Sequence, residues 1–190
     1  FRSGDALDKT NVFFHVDAAQ SFGKLNDVLR KTKYNMLSIS GHKIHGPQGV
    51  GVLILRRKQY KRPPIQPLFL GGQQEYGFRP GTTPVPLVVG MARAATLISD
   101  EYLELQDQLI AQKQRLLEAF SPFKFHVNGE MRDTLPNIIN ISFDGVDAEA
   151  LFTALKGDYA ISNGSACTSG SYKPSYVLKA MGLDDGRISE

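Results

Sequence analysis

The chain has 190 residues, 42% of them hydrophobic, enough for one ordinary domain or parts of two with a buried core. Its net charge of +3 comes from 22 Lys and Arg mixed among 19 Asp and Glu; the one basic run, "RRKQYKR" at 56–62, reads as a solvated strand end, and no direct nucleic-acid partner is expected. No apolar stretch approaches the roughly 20 residues that span a bilayer, and the opening "FRSGD" lacks a secretory pattern, so a cytoplasmic protein without membrane association is expected.

Three short apolar runs come first: "NVFFHVD" (11–17), "NMLSIS" (35–40) and "VGVLIL" (50–55). They are β-branched or aromatic and too brief for helices, which predicts three strands. Between the first two, "SFGKLNDVLRKTKY" (21–34) has the length of a crossover helix, predicting a βαβ unit with parallel, right-handed pairing. A proline-rich stretch (62–86) follows. A helical pattern then runs from about Leu87 to Phe120 with a break near Ser99 and Asp100, where a new N-cap signal stands. Leu103, Leu109, Ile110, Leu116, Leu117 and Phe120 read as a core-facing stripe on it. Beyond lie a strand in "NIINISF" (137–143), a helix in "DAEALFTALKG" (147–157), a strand in "YAIS" (159–162) and a helix starting at Pro174 in "PSYVLKAMGL". The ending "GRISE" carries no closing helix signal, and the chain is expected to be a fragment. The fold class is α/β: residues 1–99 belong to a larger domain and 100–190 to a smaller α+β domain.

Parallel sheets place ligands beyond the carboxyl ends of their strands. Asp17 and Lys43 follow two such ends, in "HVDAAQ" and "SGHKIHGPQGVG". A loop lysine is ordinarily solvated surface, and a strand-end aspartate is ordinarily a cap. Together with Ser40 and His42, however, they offer an amine for an aldehyde, a carboxylate for a ring nitrogen, and donors for a phosphate, which is what pyridoxal phosphate requires. Cys167, the single cysteine, can make neither an internal disulfide nor a metal cage, and no metal is expected. It is a buried thiol or a nucleophile, and its Gly, Ser and Thr neighbours give it little shielding. His15 is expected in the core, and His45 and His126 are given no partner.

Four motifs in order, "HVDAAQSFGK", "SGHKIHGPQGVG", "RPGTTPV" and "NGSACTSGS", resemble cysteine desulfurases of the NifS/IscS type, over nearly the whole chain. Those are homodimeric fold-type I pyridoxal-phosphate enzymes with a mostly parallel sheet in the large domain, and "GSACTS" resembles the subgroup whose catalytic cysteine sits on a long mobile loop. The resemblance implies that Lys43 takes the cofactor aldehyde and moves the substrate's α-proton, that Asp17 pairs with the pyridine nitrogen, and that Gln20 bonds the ring hydroxyl oxygen. It implies Ser40 and His42 on the phosphate, Thr82 on the phosphate of the partner subunit, and Cys167 as acceptor of sulfur from L-cysteine, with alanine as co-product and transfer to an acceptor or scaffold protein. Arg79 serves the partner's phosphate or only the dimer surface. Family members are longer, so residues before Phe1 and an arginine after Glu190 are expected to complete the site, and the segment alone is expected to be inactive. The alternatives are a selenocysteine lyase or another fold-type I lyase or aminotransferase, or a non-catalytic scaffold for sulfur transfer.

Overall fold

Three of the predicted strands form one sheet. In the computed structural model, which describes residues 12–58, 60–130, 134–164 and 174–190, β1 (His15–Asp17), β2 (Met36–Ser40) and β3 (Gly51–Leu55) stand in that order. β1 and β2 are parallel, with Asp17 opposite Ser38, and α1 (Asn26–Lys31) lies in the connection between them. β3 returns antiparallel to β2, with Ser40 opposite Gly51. The connection at 41–50 is shorter than the roughly dozen residues a parallel crossover needs, which accounts for the reversal. The described sheet therefore holds one parallel and one antiparallel pair.

Alternation along β2 sorts its side chains: Leu37 and Ile39 are buried, and Ser38 and Ser40 face the other way. Onto the buried face pack Ala18, Ile44 and three residues of α2 (Val85–Asp100), namely Met91, Ala94 and Ile98. Burying Leu37 and Ile44 almost completely contributes about 1.5–3 kcal/mol each. α3 (Tyr102–Ala119) follows after a break at Glu101. The chain divides into two compact units, Phe1–Leu105 and Gln106–Glu190.

In the second unit β4 (Phe125–Val127) pairs antiparallel with β5 (Ile141–Phe143), and Phe120, Phe123, Phe125 and Phe143 pack ring against ring with centroids 5.2–6.5 Å apart. Among the described residues three short helices follow, each with a side-chain cap: α4 (Ala148–Leu155) under Asp147, α5 (Tyr176–Ala180) under Ser175 and α6 (Asp185–Ser189) under Asp184. Arg187 of α6 donates from Nε to the Oδ1 of buried Asn128, whose Nδ2 bonds Ser142 Oγ; Ser142 Oγ in turn donates to the Arg187 carbonyl.

Several expectations are corrected. His15 is exposed, its Nε2 3.1 Å from Ser38 Oγ, because it shares a face with Ser38 rather than with Leu37. The stripe on α3 is only partly inward: Leu103, Ile110 and Leu116 are exposed, and the buried position is Lys113. Leu103 and Ile110 lie about a quarter turn off the line from Leu109 through Lys113 to Phe120. "YAIS" pairs with no strand among the described residues and is exposed throughout. The helix expected from Pro174 starts at Tyr176, since Ser175 is the cap, and α6 occupies the ending where no helix signal was read. His126 does have a partner, the Asp144 carboxylate at 3.1 Å.

Candidate active site

The site is built on a turn that a helix holds from below. In α2 the positions Gly90, Ala94 and Ile98 recur every four residues and so share one face. A Cβ on Gly90 would stand 2.7 Å from Pro47 Cγ, one on Gly46 would stand 3.4 Å from Ala94 Cβ, and one on Gly23 would stand 2.5 Å from Ile98 Cδ1. Gly90 thus lets α2 approach the 41–47 turn more closely than a side chain would permit, while Gly46 and Gly23 lie against Ala94 and Ile98 of the same helix face. Gly23 also has φ +81°, a left-handed conformation that glycine adopts without strain.

Ser40 ends β2 and the chain enters a 3₁₀ turn, Gly41–Ile44. With three residues per turn, positions 41 and 44 fall on one side; both are buried, and His42 and Lys43 are left exposed on the other. Ile44 is the anchor, packed in the core. Gly41 N donates to Val50 O at 3.0 Å and Gly46 N to Gly41 O at 2.9 Å, fixing both ends of the turn. Between them His45 stands at φ 62°, ψ 16°, in the left-handed region.

Asp17 closes β1 at the same edge, since β1 and β2 are parallel. Its Oδ1 accepts from Ala19 N at 2.9 Å, and Ala18 N donates to Ser38 O at 2.8 Å, which ties the start of this loop to β2. Gln20 lies in the same loop and is exposed, as Asp17 is. Lys24 joins the two loops: its Nζ lies 3.3 Å from the carbonyl oxygens of both Gln20 and Lys43. Burial, and secondarily the charge of Lys43, hold the Lys24 ammonium below its ordinary pKa.

The fold thus gathers Asp17, Gln20, Ser40, His42 and Lys43 at the carboxyl edge of the parallel pair. Thr82 is exposed in the coil before α2, and no hydrogen bond joins it to that group among the described residues. Arg79 donates to the carbonyl of Pro80 and lies over the Phe69 ring. Cys167 lies outside the described residues. Lys24 was missed as a contributor, although it stands within the quoted motif "HVDAAQSFGK"; a lysine at the end of a ligand loop was the available signal. Among the described residues there is no cluster of His, Cys, Asp and Glu suited to a metal ion, and no helix is long and apolar enough to cross a membrane.

A family model described as aminotransferase class-V matches residues 3–188. Cysteine desulfurase IscS of Pectobacterium atrosepticum is 43% identical over 183 residues, which are 96% of this chain and 45% of that protein. Among solved structures, DndA from Streptomyces lividans aligns with a TM-score of 0.79 at 41% identity, covering 97% of this chain and 52% of that one. SspA in complex with cysteine aligns at 0.68 and 33% identity, covering 94% and 48%. The chain spans about half the length of these relatives. With the match running through both units and through the strand ends that carry Asp17 and Lys43, the chain belongs to the aminotransferase class-V family.

Proposed function

We propose that the protein to which this chain belongs is a pyridoxal-phosphate-dependent cysteine desulfurase, with residues 1–99 forming part of its cofactor domain and 100–190 part of its smaller domain. The observation that carries the reading is the shared edge: the Lys43 amine and the Asp17 carboxylate follow the ends of two adjacent parallel strands, with Ser40 and His42 beside them. This donor set fits the cofactor, matching one amine to its aldehyde, one carboxylate to its ring nitrogen, and a hydroxyl and an imidazole to its phosphate. The likeness to IscS, DndA and SspA supports L-cysteine as substrate.

When bound, pyridoxal phosphate supplies a protonated pyridinium that accepts the electron pair released at the substrate's α-carbon. Asp17 would keep the ring nitrogen protonated by setting a negative charge against it. Gln20 would bond the ring hydroxyl oxygen. Ser40 and His42 would bind the phosphate, and Thr82 of one subunit would reach the phosphate held by the other. Lys43 would hold the cofactor and carry the α-proton of the substrate. The Cys167 thiolate attacks the substrate sulfur; the carbon–sulfur bond breaks, its electron pair stays with the carbon fragment, and protonation there gives alanine. The sulfur remains on Cys167 as a persulfide for an acceptor or scaffold protein, in the cytoplasm.

A homodimer is part of the proposal. Leu68 and Leu70 are 93% and 91% exposed, Phe69 and Tyr76 are exposed with them, and all four lie in the proline-rich stretch that leads to Thr82. Exposed apolar side chains of this kind suit an interface with a second copy.

The test uses the full-length protein. Incubation with pyridoxal phosphate, borohydride reduction and peptide mass mapping should place the phosphopyridoxyl group on Lys43. L-cysteine should then yield alanine and a persulfide mass on Cys167. Label on another lysine or on none overturns the cofactor site, and alanine production undiminished in Cys167→Ser overturns the role of the cysteine.

A further inference from the structure

Lys24 has no part in the mechanism above, yet it stands between the two loops that bear the site. Its main chain follows Gly23, whose φ of +81° glycine adopts without strain and against which Ile98 Cδ1 of α2 packs, and is closed on the other side by the bond from Leu25 N to Ser21 O at 2.8 Å. From there its Nζ reaches the Gln20 carbonyl, four residues back in its own loop, and the Lys43 carbonyl, 19 residues on, both at 3.3 Å. The last carbonyls of a short helical turn lack partners within it, so a cation beside the Lys43 carbonyl meets a need the turn cannot fill itself. The ammonium is held there although burial and the charge of Lys43 both oppose it.

We infer that Lys24 is a positioning residue: its ammonium pins the turn that carries Lys43 to the loop that carries Asp17 and Gln20, and so sets the spacing between the amine and the carboxylate that grip the cofactor. This rests on the proposed cofactor site. Two loops that each close a different strand have no covalent reason to keep a fixed separation at their tips. A displacement of about 1 Å between reacting groups costs on the order of 10²-fold in rate, so a link at the tips matters more for turnover than for folding.

The experiment compares wild type, Lys24→Met and Lys24→Arg in the full-length protein. Hydrogen exchange is followed on cofactor-free protein, and kcat and KM for alanine production on the loaded enzyme. In Lys24→Met the amides of Gly41 and Gly46 are expected to exchange roughly tenfold faster, with the β2–β3 ladder unchanged. kcat is expected to fall at least about tenfold, with KM for cysteine moving less. Lys24→Arg, which keeps the cation, is expected to stay near wild type in both. Wild-type protection at Gly41 and Gly46 in Lys24→Met, unchanged kcat, or equal loss in Lys24→Arg and Lys24→Met overturns the inference alone. A wild type that takes no phosphopyridoxyl label on Lys43 overturns the proposed function and this inference with it. If Lys24→Met does not fold, Lys24→Gln is read by the same criteria.

Discussion

Gly90 of α2 lies directly against Pro47: a Cβ on Gly90 would stand 2.7 Å from the proline Cγ and 3.1 Å from its Cδ. The ring cannot swing aside as a flexible side chain could, so Gly90→Ala must move the helix or the turn that carries Lys43. Alanine gains about 1 kcal/mol of helix propensity at an interior position. Overpacking costs about 1–3 kcal/mol, so the net loss of stability is expected between about 0 and 2 kcal/mol by urea unfolding. The effect on the site is not offset in this way. Labelling of Lys43 by pyridoxal phosphate and borohydride is expected to slow by roughly tenfold or more. Val89→Ala, at an exposed neighbour on the same helix, should leave labelling unchanged. Equal labelling in Gly90→Ala and wild type would show that the turn does not depend on this contact.

His45 tests the turn from its other end. At φ 62° and ψ 16° it sits in a region that histidine tolerates better than bulky or β-branched residues do. His45→Gly removes the strain but loosens the unfolded chain by a similar amount, and stability is expected to change by less than about 1 kcal/mol. His45→Val should cost about 1–3 kcal/mol and reduce labelling of Lys43, because the turn must open to relieve it. Thermal melts and the same labelling assay check both variants. Loss of function in His45→Gly with stability intact would mean that the imidazole, and not the backbone, is what the site uses.

Much of the first unit was legible because its signals are local. β-Branched runs bounded by Asn, Asp and Gly mark β1, β2 and β3, and Ser99 and Asp100 mark the end of α2. The shared edge of Asp17 and Lys43 followed from the parallel pairing, which the intervening helix length implies. The reversal of β3 is a matter of linker length, and that too stood in the sequence. What periodicity could not supply was the side on which burial falls. Lys113 is only 9% exposed because its Nζ bonds Thr134 Oγ1 and the Leu135 carbonyl, partners more than twenty residues away, while Leu103 on the same helix is 72% exposed. β4 was missed because "FHV" is too short to show alternation and is defined by its pairing with β5. α6 was missed although Asp184 is a readable N-cap.

Lys113 also gives a pH dependence with a definite sign. Burial holds its ammonium below the ordinary value of 10.5, so between the lowered folded value and 10.5 the unfolded chain binds more protons than the folded one. Stability contributed by this group therefore rises as pH increases through that window, and the cost of burying the charge is present in full below it. Lys24 acts in the same direction in the first unit. In urea unfolding followed by the fluorescence or exchange of second-unit residues, the stability of wild type relative to Lys113→Met is expected to improve from pH 7 toward pH 10. At pH 7 the variant loses two hydrogen bonds but also the burial cost, and the difference should be small. A wild-type advantage that shrinks with rising pH would contradict a depressed Lys113.

The cleanest test of the proposed electron sink is Asp17→Asn. Asp17 Oδ1 already accepts the Ala19 N–H at 2.9 Å, and an asparagine Oδ1 accepts the same bond, so the loop after β1 keeps its closure and only the charge is lost. Stability should stay within about 0.5 kcal/mol of wild type, as for an exposed substitution. Removing a charge aimed at a site where charge develops costs on the order of 10²-fold in rate, and alanine production should fall by that amount. Labelling of Lys43 should persist, because the amine is untouched. Asp17→Ala separates the two roles, since it loses the Ala19 bond as well and should cost a further ~1 kcal/mol of stability with no greater loss of rate. Full turnover in Asp17→Asn would remove Asp17 from the ring nitrogen and leave its carboxylate as a loop-closing group only.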